Sequence, residues 1–283
     1  MKLPAWACRR PKHDPQLISL ILMITSSHNP KIQRVRALLS QRSERESSRA
    51  FVLEGVRLCE EARAAGWHPS LLLYSQQLSE RGRRLLEAFS TGATDIEEIP
   101  DYLMDSVAGT ETPQGILAVF PLHTIPAPAN LDFVLVLDNL RDPGNLGTIL
   151  RSAAAAGVQS LLLTPGTADP FAPKVLRAAM GAHFRLPIQF SGWDEIEALR
   201  RRSGYAPLKF FLAEAEGGRP CWQTDFRQPL ALLIGGEAEG ASQTARSLAD
   251  GLVTIPMPGR SESLNAAIAA SILLFEVVRQ RSS

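Results

Sequence analysis

The segment IPMPGRSESLNAAIAASILLFEVVRQ, residues 255–280, decides how the fold of this chain is interpreted. It continues a short apolar run, LVTI at 252–255, and its two prolines and one glycine predict a turn that joins a strand to a helix. Ser263 and Asn265 stand where that helix begins, and both are residue types that cap helices. Taken alone, the segment predicts a strand, a turn and a capped helix.

The predicted final helix runs from about Leu264 to Gln280. Apolar residues recur along it at helical spacing, which predicts that they share one apolar face. The residues of this predicted face are Leu264, Ile268, Ile272, Phe275 and Val278. Such a face either packs within its own domain or meets another molecule.

Further short apolar runs precede this helix, of the kind that lie buried in a parallel sheet. Helical patterns separate most of them, and alternating strands and helices predict an α/β layer fold. The runs are FVLVL at 133–137, LLLT at 161–164, FFLA at 210–213, ALLI at 231–234 and LVTI at 252–255. Because ligands bind beyond the carboxyl ends of such strands, the turns after these runs are the candidate functional positions.

The turn after the first run reads DNLRDPGNLGTILRSA, residues 138–153. A strand is followed there by Asp-Pro-Gly and then by a helix over 145–156, and Asn145 is predicted to cap that helix. Arg151 stands six residues further on, nearly two helical turns away. Considered alone, Asn145 is explained as a cap and Arg151 as a surface charge.

A second turn, LLIGGEAEG at 232–240, ends a strand with Gly235 and Gly236 and continues to Glu237. Glycines there allow the backbone to turn sharply or to approach a ligand closely. The chain contains neither G-x-G-x-x-G nor G-x-x-x-x-G-K-[ST], so the sequence gives little support to phosphate-cradling nucleotide binding.

The length of 283 residues suggests two domains, and the composition is that of an ordinary globular protein with a net charge of +1. Residues 23–120 show a small alternating α/β pattern and are predicted to form the first domain. The proline-rich segment PLHTIPAPAN, residues 121–130, is predicted to be a linker, and residues 131–283 the second domain. Residues 1–22 resemble a signal peptide only superficially, because prolines interrupt them and no small-residue cleavage site follows their short apolar run. They are predicted to be a disordered extension, or to precede a natural start at Met23.

Several classes of protein are disfavoured by the residues present. The three cysteines include no CxxC pair and the five histidines show no ligand-like spacing, so neither a disulfide framework nor a metal site is predicted. No run reaches the length of a membrane span. The predicted compartment is therefore reducing and intracellular, and specifically the cytoplasm.

Residues 31–49 contain six basic and two acidic side chains, although the charges of the whole chain nearly cancel. This basic stripe is a candidate for phosphate contact, and a solvated helix face explains it as well. The basic residues are Lys31, Arg34, Arg36, Arg42, Arg45 and Arg49.

The three turns together, in this order and after an N-terminal α/β module, resemble the SpoU (TrmH-like) branch of the SPOUT RNA methyltransferases. The segments that carry the resemblance are NLGTILR, GGEAEG and IPMPGRSESLN, supported by GTADPFAPKVLRAAMGAHFRLPI at 166–188 and by FVLEGVRL and TPQGILAV in the N-terminal half. It covers about residues 23–281. Ala238 departs from the family, in which a glycine often follows the glutamate.

The resemblance implies a parallel α/β catalytic domain with a deep trefoil knot, and a ribosomal-protein-like module over 23–120 that binds the RNA substrate. It also implies S-adenosylmethionine as the methyl donor. The donor would be gripped mainly by backbone groups of the second and third motifs, at Gly235, Gly236, Ile255, Met257 and Leu264.

The same resemblance implies transfer of a methyl group to a ribose 2′-hydroxyl of RNA. Arg151 would be essential, either as proton acceptor or as a clamp on the phosphate beside the target ribose. Asn145 and Glu237 would organise the RNA side of the pocket and fix Arg151, and Ser263 and Asn265 would position the substrate.

Ribosomal RNA is favoured over transfer RNA because of the N-terminal module, and a homodimer is implied by the family. Three alternatives stay open at this point: a transfer-RNA ribose methyltransferase, a non-catalytic RNA-binding protein on the same fold, and a SPOUT enzyme that methylates a base nitrogen. The sequence identifies neither the RNA nor the nucleotide.

Overall fold

The computed structural model describes residues 23–90, 93–202, 207–237, 239–259 and 263–282. The extension predicted over residues 1–22 and the departure at Ala238 lie outside the described residues. The α/β class predicted for both halves of the chain is confirmed.

The N-terminal module combines four strands with helices. Its elements are α1 (Pro30–Ser40), α2 (Arg42–Ser48), β1 (Ala50–Glu54), α3 (Val56–Ala64), β2 (Leu71–Tyr74), α4 (Glu80–Phe89), β3 (Asp95–Glu98), α5 (Asp101–Val107) and β4 (Ile116–Pro121). The strands form a sheet of order β1-β4-β2-β3, in which only β2 and β3 run parallel. Alternation along β1 sends Phe51 and Leu53 toward α3 and α4, and Val52 toward α1 and α5.

The second domain is a doubly covered parallel sheet. Its elements are β5 (Phe133–Asp138), α6 (Pro143–Ala156), β6 (Ser160–Leu163), α7 (Pro173–Ala179), β7 (Ile188–Phe190), α8 (Trp193–Arg202), β8 (Lys209–Ala213), β9 (Arg219–Pro220), β10 (Leu230–Gly235), α9 (Gln243–Leu248), β11 (Gly251–Thr254) and α10 (Ala266–Arg281). The strand order is β7-β6-β5-β10-β8-β11-β9, and every pairing is parallel. Helices α6 and α10 cover one face, and α8 and α9 cover the other.

The register of this sheet brings the first two predicted motifs together. Strand β10 lies beside β5, and Gly235 pairs with Asp138 at their carboxyl ends. The turns that follow these two strands therefore leave the sheet side by side, as the rule for open parallel sheets predicts.

The apolar face identified in the sequence of the final helix is not the face that packs against the protein. Ile268, Ile272 and Phe275 are 52%, 40% and 49% exposed. The buried residues of α10 are Ala267, Ala270, Leu273, Leu274 and Val277. Because α10 is apolar on both stripes, helical periodicity could not decide which stripe is buried.

The predicted trefoil knot stays a prediction. The chain runs from β8 back to β10, between β5 and β8, and then to β11 on the far side of β8. Whether it threads a loop depends on the path between β11 and α10, and residues 260–262 of that path lie outside the described part of the chain.

Helix α7 is shared by the two domains. Val175 and Ala179 pack in the core of the second domain, whereas Leu176 packs with the core of the N-terminal module. Phe184, in the turn that follows, meets the Trp67 ring edge-on at 5.2 Å between ring centres. The domains therefore meet through a continuous apolar contact.

The basic stripe of residues 31–49 is largely engaged with other protein groups. Arg45 is buried, and its Nε lies 2.7 Å from Asp169 Oδ2 in the second domain. Lys31 pairs with Asp95 at 2.6 Å, and Arg42 pairs with Glu46 at 2.6 Å. These three side chains serve the fold and the domain joint, so the structure does not support one continuous phosphate-contacting stripe.

Candidate functional site

A cavity of about 420 Å³ opens at the carboxyl edge of the second sheet. It is lined by all five residues predicted to bind the donor: Gly235, Gly236, Ile255, Met257 and Leu264. Glu237, Ser263 and Asn265, three of the five predicted catalytic residues, line the same cavity. Ile234 and Leu273 complete an apolar wall, and α10 begins at the rim.

Three side chains, one from each motif, form a hydrogen-bonded chain beside this cavity. Asn145 Nδ2 donates to Glu237 Oε1 at 2.7 Å, and Asn265 Nδ2 donates to Asn145 Oδ1 at 2.9 Å. Asn265 Oδ1 accepts the backbone N–H groups of Ala267 and Ile268, which fixes the orientation of its amide. We call Asn145, Glu237 and Asn265 the motif triad.

Asn145 does not cap its helix, contrary to the prediction. Asp142 is the cap, because its Oδ1 accepts the backbone N–H of Asn145 at 2.7 Å, and Pro143 occupies the first helical position. Asp-Pro is a start signal for a helix in its own right. The Asn145 side chain is thereby left available for Glu237 and Asn265.

Gly235 and Gly236 are required for packing of the backbone. A Cβ at Gly235 would lie 2.4 Å from the backbone nitrogen of Ala241, and one at Gly236 would lie 2.5 Å from the carbonyl oxygen of Asn139. The 236–240 loop closes on itself, with the Gly240 N–H donating to the Gly236 oxygen at 3.1 Å. A side chain at either glycine would push the second motif away from the first.

The buried Asp138 fastens these turns to the sheet. Its Oδ2 accepts the backbone N–H of Ser242 at 2.7 Å, and its Oδ1 accepts the Thr164 hydroxyl at 3.2 Å. Thr164 in turn accepts the backbone N–H of Asn139, which stands at φ +55°. One carboxylate therefore holds the chain segments after β5, β6 and β10 in a fixed relation.

Arg151 stands apart from the motif triad. It is exposed, and none of the described residues forms a hydrogen bond or an ion pair with its guanidinium. Six residues of helix separate it from Asn145 by about 9 Å along the axis and turn it to another side of α6. The expectation that Asn145 and Glu237 fix Arg151 is therefore wrong for the structure as it stands.

Sequence reasoning missed three charged residues at the site. Glu214, directly after β8, lines the cavity and lies 2.5 Å from Arg246 of α9. Arg141 donates through Nε to Asn139 Oδ1 at 3.2 Å and through its backbone N–H to Glu237 Oε2 at 3.4 Å. The position of Glu214 just after a predicted buried strand was the available signal.

Within the ranges that the structure describes, no three His, Cys, Asp or Glu side chains are grouped so that they could hold a metal ion. None of the helices in those ranges is both long enough and apolar enough to cross a membrane.

Comparison with known families divides the chain where the structure changes domain. Residues 132–275 match the SpoU rRNA methylase family, and residues 29–118 match the MRM3-like substrate binding domain. The first match covers the strands and turns that build the cavity, and the second covers the four-stranded module.

Individual relatives match over almost the whole chain. A 23S rRNA (uridine(2479)-2′-O)-methyltransferase of Streptomyces viridochromogenes is 38% identical, over 91% of this chain and 92% of its own length. The human mitochondrial rRNA methyltransferase 3 is 35% identical, over 88% of this chain and 72% of its own. The 23S rRNA (guanosine(2553)-2′-O)-methyltransferase RlmP of Bacillus subtilis is 32% identical, over 90% and 98%.

Solved structures agree with these relatives. The SpoU methyltransferase AviRb of Streptomyces viridochromogenes, in complex with the cofactor AdoMet, superimposes with a TM-score of 0.80 at 34% identity, over 90% of this chain and 99% of that one. An AdoMet-bound rRNA methyltransferase of Sinorhizobium meliloti superimposes with a TM-score of 0.81 at 30% identity, over 91% and 97%.

The parallel sheet, the motif triad and the cavity at its edge define an α/β methyltransferase domain joined to a substrate-binding module. The chain belongs to the SpoU family of RNA methyltransferases, which confirms the resemblance found in its three motifs.

Proposed function

We propose that this protein transfers the methyl group of S-adenosylmethionine to a ribose 2′-hydroxyl of RNA. The observation that carries the proposal is the meeting of all three motifs at one cavity, where the motif triad stands beside the predicted donor-binding residues. The structures of two relatives with AdoMet bound support the choice of donor.

The cavity suits this donor in size and chemistry. Its volume of about 420 Å³ falls within the usual range for small-molecule sites, and Ile234, Ile255, Leu264 and Leu273 give it an apolar lining. The Glu237 carboxylate adds negative charge at the cavity, which favours a cationic donor, whereas the charge of Glu214 is paired with Arg246. Gly235, Gly236, Ile255, Met257 and Leu264 would hold the donor, mainly through backbone groups.

When bound, the donor supplies a methyl group on a positively charged sulfur, and its transfer to the ribose oxygen leaves the electron pair of the broken bond on sulfur and releases the hydroxyl proton. The motif triad keeps the first and second motifs aligned with the start of α10, and Ser263 and Asn265 position the substrate. The exposed Arg151 would contact the RNA, and its planar fork suits a phosphate better than it suits proton removal.

Ribosomal RNA is the proposed substrate, and the large-subunit RNA in particular. The named targets of two relatives that share both domains with this chain are positions of 23S rRNA. The match of residues 29–118 to a substrate-binding domain adds support. Transfer RNA is the second candidate, and mapping of methylated riboses decides between them.

The test is to map ribose methylation in RNA from cells with and without the gene, and to repeat the reaction with purified protein, transcript and labelled donor. We expect one ribose in 23S rRNA to lose its methyl group without the gene and to regain it in vitro as a nuclease-resistant dinucleotide. Donor binding with unchanged maps would favour a non-catalytic RNA-binding protein, and methylation without nuclease resistance would favour a base nitrogen.

We infer the division of labour from the same arrangement. Residues 23–120 would hold the RNA, residues 121–130 would link the domains, and residues 131–283 would carry out the reaction. The bacterial relatives that act on ribosomal RNA support a place in the cytoplasm.

We further propose that the protein acts as a homodimer through the exposed stripe of α10. Ile268, Ile272 and Phe275 follow one another at spacings of four and three residues, and each is at least 40% exposed. Ser271 lies on the same helix and shares a 2.7 Å hydrogen bond with Ser152, the neighbour of Arg151 on α6. A second copy on this stripe would therefore lie close to Arg151.

The oligomeric state of an Ile272→Asp variant tests the dimer. We expect the wild-type protein to sediment as a dimer and the variant as a folded monomer, because a carboxylate would be buried against an apolar partner. Tyr102, 63% exposed on α5, provides the control: Tyr102→Asp should remain dimeric. A monomeric wild-type protein would contradict the proposal.

A further inference from the structure

Four cations form a path across the joint between the two domains. They are Arg57 in the first turn of α3, Arg177 and Lys174 on α7, and Arg151 on α6. Arg57, Lys174 and Arg151 are exposed, and the Arg177 side chain keeps 38% of its surface accessible. We call these four residues the joint track.

The central part of the track lies on α7, the helix shared by both cores. Lys174 and Arg177 are three residues apart and therefore lie on the same side of this helix. Val175 and Ala179 are buried in one domain and Leu176 in the other, so the accessible edge with Lys174 and Arg177 runs along the seam between the domains.

On the N-terminal side, Arg177 reaches the loops that precede α3 and β4. Its Nη1 lies 4.0 Å from Glu54 Oε2 and is buried without a hydrogen-bond partner among the described residues. The Glu54 carboxylate is occupied by the Gly109 N–H, at 3.0 Å, and by the Thr110 hydroxyl. Arg57 stands three residues after Glu54, in the first turn of α3, and is the member of the track that belongs to the N-terminal module.

On the catalytic side, Lys174 lies beside the start of α6. A Cβ at Gly144 would stand 4.0 Å from Lys174 Nζ. Gly144, Thr148 and Arg151 follow one another on the same side of α6, so Arg151 lies about two turns, roughly 10 Å, further along the stripe that begins at Lys174. No described carboxylate forms an ion pair with Lys174, and the nearby Asp142 is occupied in capping α6.

We propose that the joint track binds the phosphate backbone of a single RNA strand as it passes from the N-terminal module to the catalytic domain. This inference rests on the proposed function and names the surface by which its substrate is held. Besides Arg151, the exposed Arg57, the partly exposed Arg177 and the Lys174 ammonium would give three phosphate contacts that read no sequence. Of the acids near the track, Glu111 in the loop after α5 is exposed, whereas Glu60 and Glu61 of α3 are paired with Arg81 and Arg185.

The joint holds the track in one geometry before RNA binds. The ion pair of Arg45 with Asp169 and the contact of Trp67 with Phe184 fasten the module to the catalytic domain. Lys174 and Arg57 would therefore contact phosphates of one strand without first ordering the two domains, which lowers the entropic cost of binding.

The test compares Lys174→Gln, Arg57→Gln and the double variant with the wild-type protein. Binding to a 23S rRNA transcript and to a mixed-sequence single-stranded RNA is measured between about 50 and about 300 mM KCl. Each single variant should bind both RNAs about threefold to tenfold more weakly and lower the salt slope by about one, because one phosphate contact is lost. The Michaelis constant for RNA should rise, whereas kcat and the affinity for S-adenosylmethionine should stay near the wild-type values.

Arg227→Gln is the matched control. Arg227 is exposed, pairs only with Asp225 among the described residues, and precedes β10, so it lies at the amino edge of the sheet, opposite the cavity. This variant should bind RNA as the wild type does. Lys174→Arg, which keeps the positive charge, should bind RNA about as tightly as the wild type and more tightly than Lys174→Gln.

Equal RNA affinity and salt slope in Lys174→Gln, Arg57→Gln and Arg227→Gln would overturn the joint track. That result is separable from a failure of the proposed function, which would appear as a wild-type protein that binds donor and RNA but methylates no ribose. A loss confined to the 23S transcript, with unchanged binding of the mixed-sequence strand, would also contradict backbone recognition.

Discussion

Asn265 has two roles that a single substitution can separate. Its Oδ1 caps α10 through the N–H groups of Ala267 and Ile268, and its Nδ2 donates to Asn145 Oδ1. The cap concerns the stability of the helix, and the donation concerns the alignment of the motifs.

Asn265→Asp should keep the cap, because a carboxylate oxygen accepts the same N–H groups and is favoured at a helix N-terminus. It should lose most activity, because it can no longer donate to Asn145 and places a negative charge on the triad. Asn265→Ala should lose both the activity and about 1 kcal/mol of stability. Thermal unfolding and kcat measured on both variants test this separation, and full activity in Asn265→Asp would reject the role of the triad.

Substitution of Arg151 is expected to lower activity without lowering stability. We expect Arg151→Ala to lower kcat by about a hundredfold or more and to leave the melting temperature unchanged, because the side chain is exposed and supports no packing. Arg151→Lys should recover little, since an ammonium cannot form the two-pronged contact with a phosphate. A pH–rate profile of Arg151→Lys with near-normal activity would reject both the clamp and the proton acceptor.

At the scale of elements, the apolar runs predicted five strands of the second sheet, and the alternating pattern of residues 23–120 predicted the α/β character of the first domain. The polar strand β3 (Asp95–Glu98) and the polar helix α2 (Arg42–Ser48) escaped prediction, because pairing and packing with neighbours stabilise them and their own sequences carry no apolar pattern. The donor cavity was predictable from position after the strands. The separation of Arg151 from Asn145 and the position of Glu214 beside the cavity could be recognised only in the three-dimensional structure.

The two faces of α10 predict opposite responses to substitution. Ala270→Leu should destabilise the protein by about 1 to 3 kcal/mol, because Ala270 is fully buried against the core and the added atoms have no space. Ile272→Ala, at a 40% exposed position, should change the unfolding free energy of the dissociated protein by much less. Denaturant titrations of both variants at low concentration check this, and equal effects would mean that the buried face is wrongly identified.

At the scale of the whole molecule, the joint contains a buried ion pair and a buried histidine. The side chains of Arg45 and Asp169 are 6% and 13% exposed, and Arg45 also donates to the Leu38 carbonyl at 2.5 Å. Arg45→Ala should cost about 3 to 5 kcal/mol, because it leaves a carboxylate buried without its partner. Arg42→Ala, three residues earlier, breaks an ion pair whose two side chains are 44% and 61% exposed, and should cost about 1 kcal/mol or less in the same denaturant titration.

His183 makes stability depend on pH. Burial lowers the pKa of His183 to about 4 from its ordinary 6.5, and the ring shares a 2.7 Å hydrogen bond between Nε2 and the Pro170 carbonyl. Below about pH 6.5 the unfolded chain takes up a proton that the folded protein refuses, so the unfolding free energy falls as pH falls to about 4. The loss should reach about 3 kcal/mol at most.

Denaturant titrations at several pH values, on the wild type and on His183→Gln, measure this contribution. The unfolding free energy of the wild type should fall more steeply than that of His183→Gln as the pH is lowered from about 6.5 to about 4. Parallel curves would show that His183 takes up its proton equally well in both states.

Because α7 packs in the cores of both domains, the two domains cannot be separated cleanly by cutting the chain between them. A fragment cut within residues 121–130 would carry Leu176 and Phe184 on its catalytic half with their partners removed, exposing an apolar patch to water. Such a fragment should associate or precipitate unless these two residues are replaced by polar ones. Likewise, exchange of the N-terminal module between relatives should give a folded protein only when α7 is exchanged together with the module.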